Sequence, residues 1–344
     1  IKNYESRSDN RFVNVSKREN YIFNSSLNGI EEADLILLVG ANPRYEATIL
    51  NARIRKSYLN NNTKIYSLNE NGDLTYPYES FDGQTQTLNN IFEGTHDLSK
   101  NLLESKKPMI ILGESFLRLT KAEFLYDKII NFLKNNNKFS EEWNPINILS
   151  CDAASVGNFD LGLVNSEDNL LDDLKSNKFD IVYLLGQDNI DFIKKDEFVI
   201  YQGSHGDKGA EIADIILPGS AYTEQDGHYT NLEGKIQKAY KASYPPGEAK
   251  EDWQIINEIA EFMNNRKLFN DKDELDSSMF NYLNLQKDKQ NKNIEKKKVL
   301  DFKNEKLVIE LKPYYFSNII ARCSKTMIEC NNSKINLKST GTEG

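Results

Sequence analysis

The sequence predicts an α/β protein with doubly wound, mostly parallel sheets, flanking helices and a peripheral helical arm at the carboxyl end. Short apolar runs recur up to residue 219 of the 344, and segments with helical spacing of apolar residues alternate with them. Such alternation is typical of a parallel sheet covered on both faces. After Pro245 and Pro246 the chain becomes charged and rich in asparagine, which ends the alternation.

The first strand–helix–strand unit lies near the amino end. The run EEADLILLVG ends at Gly40 and predicts a buried parallel strand. Pro43 then marks a helix start, and residues 46–59 place apolar side chains at helical spacing. The segment TKIYSL at 63–68 predicts the next strand, which completes one parallel unit.

The same alternation continues along the chain. Helices are predicted at 121–133 and at 166–176, the second capped by Ser166. Further strands are predicted wherever a short apolar run recurs, at 107–113, 146–150, 179–186, 197–203 and 211–219.

Composition then divides the chain into five segments. They are an α/β domain at 1–246, an amphipathic helix closing that domain at 247–265, a polar arm or connector at 266–306, a docking segment at 307–330 and a flexible tail at 331–344. The docking segment holds an apolar helical face, which predicts that it packs on the α/β body or on a neighbouring subunit. That face consists of Ile319, Ile320, Cys323, Met327 and Cys330, with both cysteines expected to be buried.

Charge and cysteine content exclude several functions. A net charge of −9 argues against nucleic-acid binding, because an acidic chain gains nothing from releasing counterions on phosphates. No apolar run approaches the roughly 20 residues that span a bilayer. Cys151, Cys323 and Cys330 are scattered without a C-x-x-C motif, so we expect neither a disulfide framework nor a metal site.

Polar loops after the strands are the candidate binding sites. Glycines end several predicted strands, and a nucleotide could approach the backbone closely there. Without a G-x-G-x-x-G pattern, however, a turn with positive φ is the favoured explanation. These glycines are Gly40, Gly113, Gly186 and Gly203.

The loop QGSHGDKGAE at 202–211 could hold a phosphate on free backbone N–H groups, with charge from His205 and Lys208. A polar loop at the rim of a sheet without a ligand has the same composition, and that alternative is favoured.

No catalytic set can be assembled from the sequence. His228 has Glu224 and Asp226 close by in the chain, so a carboxylate–histidine pair is conceivable. Histidines in loops are more often surface residues, and Asp152 is likewise interpreted as a loop residue. We therefore predict no catalytic residue in this chain.

Three segments resemble the large iron–sulfur subunit of mitochondrial respiratory complex I, NADH:ubiquinone oxidoreductase. They are EEADLILLVGANPRYEATILNARIRKSYL, YQGSHGDKGAEIADIILPGSAYTEQDGHYTNLEGKIQKAYKASYPPGEAKEDWQII and YYFSNIIARCSKTMIEC. They occur in the order that the family has, and the resemblance covers roughly residues 18 to 330, with the middle and the arm only loosely matched.

The resemblance implies a fold and a division of cofactors. In that family the amino-terminal part carries iron–sulfur clusters, and the carboxyl-terminal part resembles a molybdopterin oxidoreductase that has lost its cofactor. This chain resembles only the latter. We therefore expect no cofactor in this chain, and iron–sulfur clusters on a missing amino-terminal half or on a separate partner chain.

The resemblance also identifies candidate site positions. In working molybdopterin enzymes, a GxNP turn and a polar loop line the nucleotide end of the cofactor. The matching positions, expected to be vestigial, are Gly40, Asn42, Pro43, Thr223, Glu224, Asn231, Glu233 and Gly234. Lys235 stands where arginine is usual in the family, and lysine lacks the bidentate fork that binds phosphate.

The function implied is that of a structural, non-catalytic part of the matrix arm of complex I, on the matrix side of the mitochondrial inner membrane. Its partners would be other matrix-arm subunits, including the iron–sulfur half. Two alternatives stay open: a fragment of an active molybdopterin-dependent oxidoreductase, and a soluble nucleotide-binding α/β protein. The missing metal ligands, the acidic charge and the apolar tail together favour the first interpretation.

Overall fold

The computed structural model describes residues 3–6, 11–164, 170–190, 193–290, 301–310 and 313–339. They form two compact units, each with its own sheet. The first unit comprises 1–168, 229–237 and 281–311, and the second comprises 169–228, 238–280 and 312–344. This differs from the single predicted domain at 1–246, because each sheet gathers its own apolar core and the chain returns to each unit after leaving it.

The first unit contains a five-stranded sheet in the order β3-β2-β1-β4-β5, with all neighbours parallel. Its strands are β1 (Leu35–Val39), β2 (Lys64–Ser67), β3 (Glu79–Ser80), β4 (Pro108–Leu112) and β5 (Ile146–Ile148). The adjacent strands β1 and β4 are buried at every position, as the apolar runs predict for a sheet covered on both faces.

Helices cover both faces of this sheet. Successive residues of β1 alternate between two apolar clusters, with Leu35 and Leu37 in one and Ile36 and Leu38 in the other. The helices are α1 (Ser26–Gly29), α2 (Pro43–Glu46), α3 (Thr48–Asn61), α4 (Thr85–Glu93), α5 (Asp97–Glu104), α6 (Glu114–Leu117), α7 (Ala122–Asn135) and α8 (Ser155–Asp160). Short 3-10 turns lie at Arg18–Asn20 and Ile30–Glu32. Helices α4 and α5 were not predicted from the sequence.

The second unit contains a three-stranded parallel sheet in the order β6-β7-β8. Its strands are β6 (Ile181–Leu185), β7 (Phe198–Gly203) and β8 (Ile215–Pro218), with helices α9 (Leu170–Lys175) and α10 (Lys208–Glu211). Ser166, the predicted cap of α9, lies outside the described residues. The predicted α/β class with parallel sheets is thus confirmed in both units.

The polar loop after β8 contains structure that its composition conceals. Residues Gly227–Thr230 (β9) and Ile236–Ala239 (β10) form a two-stranded sheet around the turn at 231–235. Helix α11 (Asp252–Asn264) follows, close to the predicted bounds, and begins with a capping box formed by Glu251 and Gln254. None of the described helices is both long and apolar enough to cross a membrane.

The carboxyl-terminal third differs most from the sequence-based expectations. The predicted polar arm contains helix α12 (Lys272–Gln290), and residues 301–310 return to the first unit. The predicted tail helix is two helices, α13 (Ile319–Cys323) and α14 (Lys325–Ser339), because Ser324 is extended. Helix α14 continues into the segment 331–344 that was expected to be flexible, and residues 340–344 lie outside the described residues.

Helix α13 lies against the loop that follows β7. The guanidinium of Arg322 donates to Asp207 at 2.9 Å and lies 3.8 Å from Asp188. The Cys323 thiol donates to the Gly206 carbonyl at 3.1 Å, although its side chain is exposed and not buried as expected. Cys330 is half-buried. Since burial raises the pKa of Asp188 and Arg322 opposes the rise, this contact is electrostatic as well as steric.

Arg322→Gln should release α13 from the loop, because it removes the charge that Asp207 and Asp188 share. We expect faster amide hydrogen exchange across 319–323 in the variant, measured by mass spectrometry. Lys325→Gln, at an exposed position two residues beyond this helix, is the matched control and should leave the exchange rate unchanged. Equal protection in both variants would show that Arg322 does not hold the helix.

Candidate functional site

The carboxyl ends of β1 and β4 form the position where an open α/β sheet usually binds its ligand. The chain passes from β1 to β2 on one side and later crosses to β4 on the other, so the strand order reverses between β1 and β4. Ligands in such folds occupy the crevice that opens at this reversal. Gly40, Asn42 and Pro43 directly follow β1, and Gly113 and Glu114 directly follow β4.

In this protein the two loops close that crevice by direct contact. A Cβ atom at Gly113 would lie 2.2 Å from the carbonyl oxygen of Gly40, so only glycine fits there. Gly40 itself has a φ of +63°, and a Cβ at this position would lie 2.7 Å from the backbone nitrogen of Phe116. Both glycines therefore serve the contact between the loops. The turn with positive φ that the sequence favoured is present at Gly40 but not at Gly113, whose φ is −89°.

Carboxylates take the backbone N–H groups that would face a phosphate. The N–H of Asn42, at the start of α2, donates to the carboxylate of Glu46. The N–H of Cys151, which follows β5, donates to Glu114 at 3.0 Å. Backbone donors at a helix start are the usual ligands of a phosphate. The chain thus supplies its own anions at the positions where a nucleotide would place its phosphates.

Glu114 is buried and fully engaged. Its side chain is 5% exposed and forms an ion pair with Arg11, which is 6% exposed. Arg11 also donates to the hydroxyl of Ser155 at 3.3 Å, and Arg118 lies 3.5 Å from the other carboxylate oxygen of Glu114. The arginines that could attract a phosphate are therefore already paired, Arg11 with Glu114, and Arg118 with Glu114 and Glu310.

Glu46 is the unusual acid of this cluster. Burial raises the pKa of its carboxyl, and the nearby charge of Glu114 raises it further. The hydrogen bonds from Asn42 and from the Cys151 thiol, at 3.4 Å, and the charge of Arg118 oppose the rise. Because folding raises this pKa, protonated Glu46 stabilises the fold below its ordinary value of 4.5, and the contribution is lost as the pH rises through the folded pKa.

An apolar side chain from the distant segment 301–310 completes the closure. Leu307 is 2% exposed and lies 3.1 Å from the position of a Cβ on Gly40. Its N–H donates to the carbonyl of Gly83, and its carbonyl accepts from the amide of Asn69, both at 2.9 Å. Residues 303–307 are therefore held on both sides by the first unit, with Leu307 over the reversal point of the sheet.

Two buried asparagines tie the loops after β1 and β2 together, and a third, Asn69, binds Leu307. The amide of Asn42 donates to the carbonyl of Asn71 at 3.2 Å, and the amide of Asn71 donates to the carbonyl of Ala41 at 2.9 Å. The amide oxygens of Asn42, Asn69 and Asn71 have no partner among the described residues. These free atoms are acceptors, so they suit a donor and not the oxygens of a pyrophosphate.

The nucleotide end of a molybdopterin cofactor, which the resemblance implies, therefore does not fit this crevice. Its phosphates would meet the carboxylates of Glu46 and Glu114 and the free amide oxygens of the asparagines. The side chain of Leu307 would also have to leave. Glu46, Glu114 and Leu307 are functional positions that sequence reasoning missed.

Asn231, Glu233 and Gly234 lie in the turn between β9 and β10 and have structural partners. Glu233 accepts from the N–H of Leu27 at 2.8 Å, and Asn231 accepts from the N–H of Lys235 at 2.8 Å. The carbonyl of Gly234 accepts from Arg18, whose guanidinium also forms two 2.8 Å bonds to Asp160. No hydrogen bond between described residues joins this turn to Gly40, Asn42 or Pro43.

Thr223 and Glu224 belong to the second unit. The Glu224 carboxylate accepts from the N–H of Ala221 at 2.9 Å, and the Thr223 carbonyl accepts from the N–H of Ala242 at 2.8 Å. An open cleft of about 560 Å³ lies beside Glu224. The residues that line it are Gly203, Ser204, His205, Pro218, Gly219, Glu224, Pro246, Glu248 and Ala249.

The remaining histidine and acid candidates form no catalytic set. His228 lies 3.8 Å from Asp276 of α12 and packs against Phe280, so its acidic neighbour is neither Glu224 nor Asp226. The imidazole of His205 bonds to the hydroxyl of the adjacent Ser204 at 2.9 Å, and its backbone carbonyl accepts from the Tyr201 hydroxyl at 2.9 Å. Asp152 is exposed and lies 4.0 Å from Arg11. The described residues contain no cluster of three potential metal ligands.

Comparisons with known proteins agree with the α/β fold. The sequence profile of the molybdopterin oxidoreductase family matches residues 1–262. The 75 kDa subunit of NADH-ubiquinone oxidoreductase from Reclinomonas americana is 40% identical over 341 residues, 96% of this chain and 49% of that protein. The mitochondrial 78 kDa subunit from Candida albicans is 38% identical over 330 residues, 91% of this chain and 45% of that protein.

A third relative, from Solanum tuberosum, is the mitochondrial NADH dehydrogenase [ubiquinone] iron-sulfur protein 1. It is 39% identical over 250 residues, 72% of this chain and 33% of that protein. The chain thus spans about half the length of the first relatives, and a third of the last.

The pKa of Glu46 should respond in opposite directions to its two charged neighbours. Glu114→Gln removes a negative charge and should lower this pKa, whereas Arg118→Gln removes a positive charge and should raise it. The measurement is a ¹³C NMR titration of the Glu46 carboxyl carbon, whose resonance is identified by its loss in Glu46→Gln. Shifts of the same sign in both variants would rule out the proposed charge arrangement.

Leu307 should contribute to the stability of the first unit as a core residue does. We expect Leu307→Ala to lower its free energy of unfolding by about 2–5 kcal/mol, because it leaves a cavity over Gly40. Trp143, 5% exposed in this unit, reports the unfolding in denaturant when Trp253 is replaced by Phe. Val308→Ala, at a position that is 66% exposed, should change the free energy of unfolding by less than about 0.5 kcal/mol. Equal effects would show that Leu307 does not fill the crevice.

Proposed function

The chain belongs to the molybdopterin oxidoreductase family, and from that premise we propose that it is a structural, non-catalytic part of the peripheral arm of NADH:ubiquinone oxidoreductase. The relatives that match nearly its whole length are subunits of that enzyme, by their names. In this role the chain supports the module through which electrons pass from NADH to ubiquinone, and takes no part in the electron transfer.

The observation that carries this proposal is the closure of the crevice at β1 and β4. An oxidoreductase of this family would need that crevice open for its cofactor. Here Leu307 fills it, and the carboxylates of Glu46 and Glu114 occupy the backbone donors. Leu307 and Glu114 are also buried in the first unit, so the closure is part of the fold.

The same geometry weighs against the alternative of an active molybdopterin-dependent oxidoreductase. A pyrophosphate is doubly negative, and two carboxylates within the same donor set would repel it. Opening the crevice would cost the buried contacts of Leu307 and the Arg11–Glu114 pair. A loaded site would therefore require a rearranged first unit, with its apolar core disturbed.

Electron transfer is assigned to residues outside this chain. The relative from Solanum tuberosum is named an iron–sulfur protein, and this chain aligns with one third of it. Clusters need sets of cysteine ligands, and three widely spaced cysteines do not provide one. We infer that the clusters are bound by the other half of the homologous subunit, present either as a separate polypeptide or as part of the same one.

The proposed location is the matrix side of the mitochondrial inner membrane. The relatives from Candida albicans and Solanum tuberosum are named as mitochondrial proteins. None of the described helices could cross the membrane, which suits a peripheral position in a larger membrane complex. Neighbouring subunits of that arm are the proposed partners.

The proposal predicts assembly into a large complex. Affinity-tagged chain from mitochondrial membranes, solubilised in mild detergent, should migrate on a native gel with NADH-oxidising activity. Mass spectrometry of the same band should find peptides homologous to the iron–sulfur half of the relatives. Tagged chain found only as a free monomer, away from that activity, would contradict the proposal.

A further inference from the structure

The sheet of the second unit has one apolar face that is largely uncovered. The register of β6, β7 and β8 places alternate residues of the three strands on this side. We call it the open face, formed by Ile181, Tyr183, Leu185, Phe198, Ile200, Ile215 and Leu217. Ile181 is 65% exposed, Leu185 49% and Phe198 43%, although all three are large apolar side chains.

The opposite face shows what a covered sheet looks like in the same unit. Val182, Leu184, Val199 and Tyr201 point that way and are all buried in one cluster. Ile216 of the last strand, β8, lies on the same face and is 55% exposed, so this face is covered over β6 and β7. A parallel sheet is normally covered by helices on both faces. An exposed apolar surface on the order of 500 Å² is at the upper end of what isolated soluble proteins present, and usually marks an interaction site.

The order of the strands explains why the connections leave this face bare. The three strands follow one another across the sheet in chain order. Right-handed crossovers running in one direction all pass over the same face. Ala210 of α10, and Ile212 and Ala213 just after it, accordingly pack against the buried cluster. A helix over the open face must therefore come from another part of the polypeptide or from another chain.

Helix α11 covers only the carboxyl end of the open face. The amide of Gln202, at the end of β7, donates to the side chain of Asp252 at 2.8 Å and is fully buried. Tyr183 in turn donates its hydroxyl to Gln202. Ile181, Phe198 and Ile215, at the amino ends of the three strands, remain exposed.

The charges around the open face indicate what kind of helix would fit. Asp180 directly precedes β6 and Asp196 lies two residues before β7; both are exposed. Asp214, before β8, is paired with Lys194 at 2.6 Å. Lys195, also exposed, lies next to Asp196, so a second copy would meet both signs of charge at this rim. Basic residues beside an apolar stripe would complement Asp180 and Asp196, in a chain of net charge −9.

We propose that an amphipathic helix, with lysine or arginine beside its apolar stripe, packs on the open face, and that it belongs to the half of the homologous subunit with which this chain does not align. The first relatives match more than nine-tenths of this chain, yet about half of their length lies outside the match. This inference rests on the proposed function, because it takes the occupant from the same subunit of the same complex.

Photo-crosslinking in the assembled complex tests the occupant. Leu185→p-benzoylphenylalanine places the probe on the open face, and the same replacement at Ile49, 73% exposed on α3, is the control. We expect adducts from position 185, and not from 49, to a basic amphipathic helix of the other half of the subunit. Adducts within this chain, to a second copy or to an unrelated subunit, or no adducts at all, would overturn the proposal.

A paired variant tests the energetics. Ile181→Glu with Leu185→Glu should reduce recovery of the other half with tagged chain about tenfold, since two buried carboxylates oppose docking. The isolated variant should melt at the wild-type temperature, because both positions are exposed there, and Ile49→Glu should assemble normally. Full assembly of the double variant would overturn this inference alone. Absence of the wild-type chain from the complex would instead contradict the proposed function.

Discussion

Closure of the crevice depends on hydrogen bonds from backbone N–H groups to two carboxylates. Glu46 accepts such a bond after β1, and Glu114 accepts one after β5. A doubly wound sheet exposes free N–H groups at the carboxyl ends of its strands, and these groups require an acceptor. In a nucleotide-binding protein the acceptor is a phosphate. Here the chain provides carboxylates, together with Arg11 to balance one of them and Leu307 to exclude solvent. The first unit thus satisfies these N–H groups with its own side chains.

With the crevice closed, we propose that this chain acts through its surfaces. Two features of the second unit support this proposal. The open face over β6 keeps large apolar side chains that no connection of this unit can cover. At the other end of the same sheet, Arg322 holds α13 against the loop after β7, the loop that the sequence offered as a phosphate cradle. Both features favour assembly over catalysis.

Much of the fold could be predicted from sequence because buried parallel strands leave a strong local signal. The runs that became β4, β6 and β7 were located within about two residues, and the run that contains β1 began four residues before the strand. The hairpin of β9 and β10 was missed because its strands are polar, and the division into two units was missed because it depends on contacts between distant segments. The site residues, too, could be predicted only where they leave a local signal in the sequence. Gly40 could be identified from its place after a strand, whereas Leu307 acts 267 residues away and leaves no local pattern.

We propose that this chain, which belongs to the molybdopterin oxidoreductase family, holds none of that family's cofactor. The most direct measurement is the molybdenum, tungsten and pterin content of the chain purified, in its native assembly, from its own cells. Inductively coupled plasma mass spectrometry would quantify the metals, and fluorescence after oxidation would quantify the pterin. We expect far less than one equivalent of molybdenum, tungsten or pterin per chain. About one molybdenum or tungsten with an equivalent of pterin bound to this chain would contradict it.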